Sequence, residues 1–560
     1  MWRSAIWLLL LLQVPSLYLY SKSPDINTLF LSIVPILFFW AAVKNSKYLA
    51  ILYPFLLVVP FILFYIHYYD TVITEQVLSI ILESNAQEAL GFLGSKVYSY
   101  MFLFLVWVAI ITYLFWHNNY TPLIWSHRSR WWLIMGTSSI LVTTVSANTL
   151  LNISTKDLPD RVSNDFLVSD KNNFYQEFKR TYPFGLLVSF NDLYQEQRKI
   201  NNAFDKNKDF AFNAYQTNKR NSKQLVVLVI GETSRRANWQ LNNYHRDTNP
   251  LLSKQKNLIN FSDMISISEA TRSSIPMLLT RKPADKVYEY DFPESSVITA
   301  FQESGFSTYW ISNQQKFGAY DTSTSVYAKE ADHMLFLNNA NYYHHGKTDG
   351  VILPVFEKVL KSRSEKLLIV IHTLGSHFDY SHRYPTDYDL FKPSLSSLDK
   401  YTLQDKRYKQ QLINSYDNSI LYTDYVLNEL IETMNKQEDT ESFLLFSSDH
   451  GEDLFDNECE KSGHGNETAY NFEIASFAWY SDRFAENNPK KVQKLRINKN
   501  RKINQTSIFP TLIDAADVAI PNYIVSRSVL NDLSPYQRLI LGNKNYDNAN
   551  WDDKCRSIYE

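Results

Sequence analysis

The chain has 560 residues, more than one ordinary domain holds, so two or more parts are expected. Its 56 Lys+Arg against 58 Asp+Glu give a formal net charge of -2, which disfavours a general nucleic-acid-binding surface. Two cysteines exclude a disulfide-dense scaffold and any four-cysteine metal site. Glycine is scarce, at 14 residues, so each is worth locating, because glycine is needed where the backbone takes φ > 0 or comes close to a ligand.

The charges divide the chain into unlike parts. Residues 1–150 hold only Arg3, Lys22, Lys44, Lys47, Lys96, Arg128 and Arg130, with Asp25, Asp70, Glu75, Glu83 and Glu88. Five apolar runs fill this region, at roughly 4–20, 28–43, 48–69, 97–116 and 131–150. The last three approach the ~20 residues that span a hydrocarbon layer. The first is not read as a cleaved signal peptide, because no A-x-A-like site follows and a second apolar run begins at once. With the N-terminus inside, Arg3, Lys44, Lys47, Arg128 and Arg130 fall on the cytoplasmic side and only Lys22 and Lys96 on the other. Five spans then place residues from about 151 onward outside, where Cys459 and Cys555 meet an oxidising compartment and could pair.

Between the third and fourth runs, Val72, Ile73, Val77, Leu78, Ile81, Leu82 and Leu90 recur with helical spacing beside Glu75, Glu83 and Glu88. This predicts an amphipathic helix at the membrane boundary, within about 70–96. Residues 151–222 are polar with apolar-aromatic patches, and read as a bridge with surface-lying helices. From about 223, short apolar runs appear at Val226–Ile230, Ser307–Ile311, Leu367–Ile371, Phe443–Phe446 and Ser476–Tyr480, with charged helical-length segments between them. Buried strands alternating with helices predict an α/β domain with a mostly parallel sheet over 223–560. Ligands of such sheets gather beyond the carboxyl ends of the strands.

Three of these runs are followed by an acid or imidazole beside a glycine: Gly231-Glu232-Thr233-Ser-Arg235, His372-Thr-Leu-Gly375-Ser-His377, and Ser448-Asp449-His450-Gly451-Glu452. Gly463-His464-Gly465 follows downstream. Carboxylate and imidazole together suit Zn²⁺ or a similar divalent ion. Such an ion lowers the pKa of a nearby hydroxyl and makes it a nucleophile. The hydroxyls lie in Ser266-Ile-Ser268-Glu269-Ala-Thr271-Arg272-Ser273-Ser274-Ile-Pro276, and spacing alone does not choose among them.

Gly-Glu-Thr-Ser-Arg, the segment Leu241-Asn-Asn-Tyr244-His-Arg246-Asp247-Thr248-Asn249-Pro250, Ser-Asp-His-Gly-Glu and the later His-Gly resemble bacterial phosphoethanolamine transferases. These are membrane-anchored members of the alkaline-phosphatase/sulfatase superfamily, and the resemblance covers essentially the whole chain. It implies a five-helix transmembrane domain (1–150), a bridging segment (151–222) and a periplasmic, sulfatase-like α/β catalytic domain (223–560). It implies Thr271, five residues before Pro276, as nucleophile, and Glu232, Asp449 and His450 as zinc ligands with the Thr271 oxygen completing the site. His377 and His464 match histidines that hold the transferred phosphate or a second metal; His372 is a weaker match of the same kind. Asn85 and Glu88 match the lipid head-group region.

The implied reaction moves phosphoethanolamine from phosphatidylethanolamine to lipid A phosphate, a lipopolysaccharide core sugar or a periplasmic glycan. It passes through a phosphothreonine and leaves diacylglycerol in the bilayer. One Zn²⁺ is implied, with a second allowed. The protein is expected as a monomer in the bacterial inner membrane, with no nucleic-acid partner. Two departures leave the acceptor open: Glu269 and Arg272 flank the nucleophile, and one disulfide at most can form. A phosphoglycerol transferase shares this layout. A sulfatase would need a C/S-x-P-x-R setting that the chain lacks. The non-enzyme alternative is a membrane-tethered binding protein.

Overall fold

In the computed structural model the described residues are 3–22, 24–69, 73, 78, 97–139, 178–207, 209–217, 222–289, 292–315, 323–338, 347–361, 364–398 and 401–558. They divide into two compact units with a boundary between Glu196 and Gln197.

The first unit holds α1 (Arg3–Lys22), α2 (Ile26–Val43), α3 (Tyr53–Tyr69), α4 (Val97–Tyr120) and the start of α5 (Phe184–Asn207). Among the described residues, four segments are long and apolar enough to cross a membrane: Ser4–Lys22, Ile26–Val43, Ser46–His67 and Ser99–Tyr120. Of the fifth expected span, residues 129–139 are helical and 140–150 lie outside the described residues. The expected boundary helix at 70–96 also lies outside them, apart from Ile73 and Leu78.

Polar contacts fix an up-and-down order. Ser4 Oγ meets His117 Nδ1 at 2.9 Å, so α1 starts where α4 ends, while Tyr18 OH meets His67 Nδ1 at 2.8 Å, so α1 and α3 end together. The loops carrying Lys44 and Lys47 and residues 121–130 join at the N-terminal end of α1: Ser46 N donates to Leu123 O and Trp125 N to Lys44 O. The basic residues of the charge pattern thus gather at one end. Proline inside a membrane-length helix frees the carbonyl four residues earlier. In α3 that proline is Pro60, and Trp107 Nε1 donates to the freed Leu56 carbonyl at 2.7 Å.

The second unit is built on a seven-stranded sheet: β1 (Lys223–Gly231), β2 (Leu258–Asn260), β3 (Ser307–Gln315), β4 (His333–Asn338), β5 (Lys366–His372), β6 (Thr440–Ser448) and β7 (Ser476–Tyr480). Their spatial order is β2-β7-β6-β1-β5-β3-β4. The pairs β6–β1, β1–β5, β5–β3 and β3–β4 are parallel, whereas β7 runs antiparallel to both its neighbours. The sheet is therefore mixed and mostly parallel. All five predicted strands are present; β2 and β4 are additional. The antiparallel β7 brings its first residue, Ser476, beside Ser447 at the carboxyl end of β6.

Alternation along β1 explains why its run is uniformly apolar. Val226, Leu228 and Ile230 enter one core with α6 (Thr271–Leu279), α7 (Val297–Glu303) and α10 (Ile508–Ala515). Leu225, Val227 and Val229 enter the other with α8 (Ile352–Leu360) and α9 (Lys409–Asn435). A strand covered on both faces has no polar side to show.

Cys459 and Cys555 form a disulfide across a sequence separation of 96. Closing a loop of that length stabilises a fold by about 4–5 kcal/mol in the chain-entropy model. The paired Cys459→Ser, Cys555→Ser variant should therefore unfold at lower denaturant concentration than the parent. Equal unfolding midpoints in the absence of reductant would reject that contribution.

Candidate active site

The parallel pairing puts three strand ends side by side. Ile230 of β1 is in register with His372 of β5 and with Ser447 of β6, and Gly231 with Ser448. The next residues, Glu232 and Asp449-His450, therefore emerge together. The turn after β1 is sharp: Thr233 takes φ 58°, a left-handed conformation rare for a β-branched residue and characteristic of functional turns. In that conformation its N–H donates to Asp449 Oδ1 at 3.0 Å and its hydroxyl to Glu232 Oε1 at 3.0 Å.

Thr271 opens α6 and points its hydroxyl at this group. Its Oγ1 donates to Asp449 Oδ2 at 2.7 Å and lies 3.2 Å from Glu232 Oε1 and 3.3 Å from His450 Nε2. Glu232, Asp449 and His450 each offer a ligand atom within 4.8 Å of the others. All three side chains are buried. His450 Nδ1 bonds the Gly451 carbonyl at 2.9 Å. A carbonyl only accepts, so Nδ1 carries a proton, and Nε2 is the nitrogen that faces the cluster and can give a lone pair to a cation that displaces its own proton.

The electrostatics identify what the cluster lacks. Burial would raise Glu232, but the hydrogen bond and charge of His450 hold it well below the usual carboxylate range. Burial, then the adjacent Glu232 charge, pushes Asp449 up to about 7. Burial opposes protonation of His450, yet Asp449 and Glu232 raise it to about 10. Two buried carboxylates at this separation repel until a cation joins them. Two carboxylates, one imidazole nitrogen and one hydroxyl make a four-donor set that fits Zn²⁺.

His464 continues the site. Its ring centroid is 4.5 Å from that of His450, and His377 lies 6.1 Å beyond His464. His464 Nδ1 pairs with Glu452 Oε2 at 3.1 Å, and His450, Glu452 and His464 form a second group spaced for a metal. His377 Nδ1 donates to the Phe378 carbonyl at 2.8 Å, leaving Nε2 for a ligand. His372 sits behind the cluster, buried, with Nε2 4.0 Å from Glu232 Oε2 and neither ring nitrogen hydrogen-bonded. Burial pushes its pKa down to about 4, so the ring is neutral. Asn85 and Glu88 lie outside the described residues.

Several partners went unassigned in the sequence. Glu452 stood in the Ser-Asp-His-Gly-Glu motif without a role; besides His464, it accepts from Tyr380 OH at 2.7 Å. Gln314, near the end of β3, donates to Glu232 Oε2 at 3.3 Å and to the Thr373 carbonyl at 2.7 Å. Asp349, with no local motif, accepts from Leu374 N at 2.9 Å and Gly375 N at 2.8 Å, and so anchors the turn between His372 and His377.

Gly375 takes φ 50°, and a Cβ there would sit 2.7 Å from the Glu232 carbonyl oxygen. Both the φ and the clash require glycine. Gly375→Ala should displace Glu232 and lower metal content and turnover by about tenfold or more, with a stability loss of about 1–3 kcal/mol. Wild-type metal content by elemental analysis would contradict this.

A family profile described as Sulfatase matches residues 224–518. The chain belongs to the sulfatase family. The relatives it matches along most of its length are named phosphoethanolamine transferases, in agreement with the resemblance of its motifs. It is 25% identical over 496 residues to phosphoethanolamine transferase EptC of Escherichia coli (strain K12), covering 86% of this chain and 82% of that protein. It is 26% identical over 501 residues to phosphoethanolamine transferase CptA of Salmonella typhimurium, with the same coverage. Among solved structures, the zinc complex of the C-terminal periplasmic domain of Escherichia coli EptC matches with a TM-score of 0.55 and 26% identity, over 62% of this chain and 98% of that one. The integral membrane protein EptA of Neisseria meningitidis shares the fold along 94% of this chain and 98% of that one, with a TM-score of 0.69 and 18% identity. This sulfatase-family chain therefore pairs apolar N-terminal helices with a sulfatase-like α/β domain, as its sequence predicted.

Proposed function

We propose that this chain transfers phosphoethanolamine from phosphatidylethanolamine to a lipopolysaccharide acceptor through a phosphothreonine at Thr271. The observation that carries the reading is the Thr271 hydroxyl, held within 3.4 Å of both carboxylates and the imidazole of a buried three-ligand cluster. Glu232, Asp449, His450 and Thr271 would hold one zinc ion, and His464 with Glu452 offers donors for a second. Bound there, zinc supplies Lewis-acid stabilisation of developing negative charge.

The chain's own residues frame two displacements at phosphorus. In the first, the Thr271 oxygen bonds to phosphorus, the bond to the diacylglycerol oxygen breaks, and that oxygen leaves as an alcohol by taking the proton from His464 Nε2. The short bond from Thr271 to Asp449 Oδ2 marks where its proton leaves. Thr271 stands at the N-terminus of α6, the positive end of the helix dipole, which favours the anionic phosphothreonine. In the second, an acceptor oxygen bonds to phosphorus and the Thr271 oxygen leaves, recovering its proton from Asp449 Oδ2. His464, with Nδ1 directed at Glu452, presents Nε2 to take the acceptor's proton. His377 steadies the phosphoryl oxygens across the cleft.

The setting fits a lipid substrate. The apolar helices of the first unit suit an inner-membrane protein with the N-terminus cytoplasmic and the second unit periplasmic. The Cys459–Cys555 disulfide suits that oxidising compartment. An acceptor in lipopolysaccharide is supported by the names of relatives, among them the Kdo(2)-lipid A phosphoethanolamine 7''-transferase of Salmonella typhimurium, 30% identical over 282 residues. Mass spectrometry of lipid A and core oligosaccharide, with and without the gene, should show one phosphoethanolamine gained. Feeding labelled phosphatidylethanolamine and phosphatidylglycerol separately should label the acceptor from the former alone. Label from phosphatidylglycerol instead would replace this reading with phosphoglycerol transfer.

A further inference from the structure

We propose that a cavity in the first unit, at the Lys22 end of α1, holds the phosphodiester head of a membrane phospholipid. One wall is apolar and comes from two candidate membrane spans: Leu19 of α1 with Ile62 and Ile66 of α3. The other is polar: Ser16 of α1 with Lys179 and Arg180 from the turn before α5. An apolar groove ending in cations matches an acyl chain ending in a phosphate.

The decisive feature is Ser16. Its side chain is buried, lines the cavity, and its Oγ has no hydrogen-bond partner among the described residues. A hydroxyl buried without a partner costs free energy that a bound acceptor would recover. Lys179 is also buried, and its ammonium lies 2.9 Å from Asp192. That pair is neutral as a whole. Arg180, exposed at the rim, adds one positive charge; the Asp25 carboxylate, within its electrostatic reach, does not line the cavity. The net charge of the polar wall is therefore the complement of one phosphodiester.

The recognised chemistry is the phosphodiester, common to phosphatidylethanolamine and phosphatidylglycerol. Diacylglycerol lacks it, and inorganic phosphate lacks the chain that fills the apolar wall. The cavity would therefore retain phospholipid and release diacylglycerol. This inference stands apart from the chemistry at Thr271, since none of its residues belongs to the metal cluster.

Native mass spectrometry of the full-length chain in detergent tests it, by titration with phosphatidylethanolamine, phosphatidylglycerol, diacylglycerol and inorganic phosphate. Both phospholipids should bind the wild type more tightly than Ser16→Ala or Arg180→Ala, by about fivefold or more. Diacylglycerol and phosphate should not distinguish the wild type from either variant. Thr271→Ala should bind phospholipid as the wild type does. Equal phospholipid binding by the wild type and both cavity variants would overturn the proposal. So would diacylglycerol binding as tight as phospholipid, or loss of binding in Thr271→Ala. Melting temperatures of the two cavity variants close to wild type show that the fold is retained; a variant that melts early is replaced by Ser16→Cys, which keeps the side-chain size but donates weakly and should bind like Ser16→Ala.

Discussion

Thr271→Ala should lose transfer activity by about four orders of magnitude or more, the scale on which removal of a covalent nucleophile acts. Its folding stability should change little. Thr271 is half-buried at the first position of α6, and among the described residues its hydroxyl meets Glu232, Asp449 and His450. Intact-mass analysis supplies a second readout. Supplied with phosphatidylethanolamine and no acceptor, the wild-type chain should gain one phosphoethanolamine group, and Thr271→Ala should gain none. Thr271→Ser keeps the reacting oxygen and should retain measurable turnover. Normal transfer by Thr271→Ala would remove the assignment and leave Ser273 as the alternative. The geometry weighs against Ser273, whose hydroxyl is buried and lies 2.6 Å from Ser268 Oγ.

Removal of zinc should abolish transfer, and its return should restore it. The pH dependence of this effect has a definite sign. In the metal-free chain Asp449 keeps its proton up to about pH 7, pushed there by burial and the Glu232 charge, against 3.8 for an ordinary aspartate. The folded state thus binds the extra proton between those values, and metal-free stability falls as pH rises through that window. Zinc replaces that proton, so its stabilising effect should grow over the same range. The gap in melting temperature between zinc-loaded and chelator-treated protein should be wider at about pH 8 than at about pH 5. Asp449→Asn removes the repulsion and the ligand charge together. It should cut zinc content by tenfold or more, while flattening the pH dependence of the metal-free chain. A gap independent of pH would mean that Asp449 is not the group that zinc displaces.

The cluster was legible in the sequence because its chemistry sits directly after apolar runs. Glu232, Asp449 and His450 each follow a strand, and a parallel sheet brings strand ends to one edge. Thr271 was not separable from its neighbouring hydroxyls by spacing; a family resemblance singled it out, and the structure puts its oxygen beside Glu232, Asp449 and His450. Other parts had no local signal. Asp349 reaches the His372–His377 turn through backbone amides that any residue could supply. Gln314 acts from beyond the apolar part of β3. The strands β2 and β4 were missed for a physical reason: β2 has three residues and β4 is a partly exposed edge strand. The direction of β7 depends on tertiary pairing, which an apolar run does not encode.

The order in which the site can form follows from the pairing of β1 with β6. In the unfolded chain Asp449 and His450 are already adjacent, but Thr233 must find Asp449 across 216 residues. Contacts that distant close late, because the intervening chain must be ordered first. A chain that has not yet completed this pairing therefore carries a threonine with ordinary alcohol reactivity. On the proposed assignment Thr271 becomes a nucleophile only at the completion of the central sheet, so misfolded or truncated chains would be inert by construction.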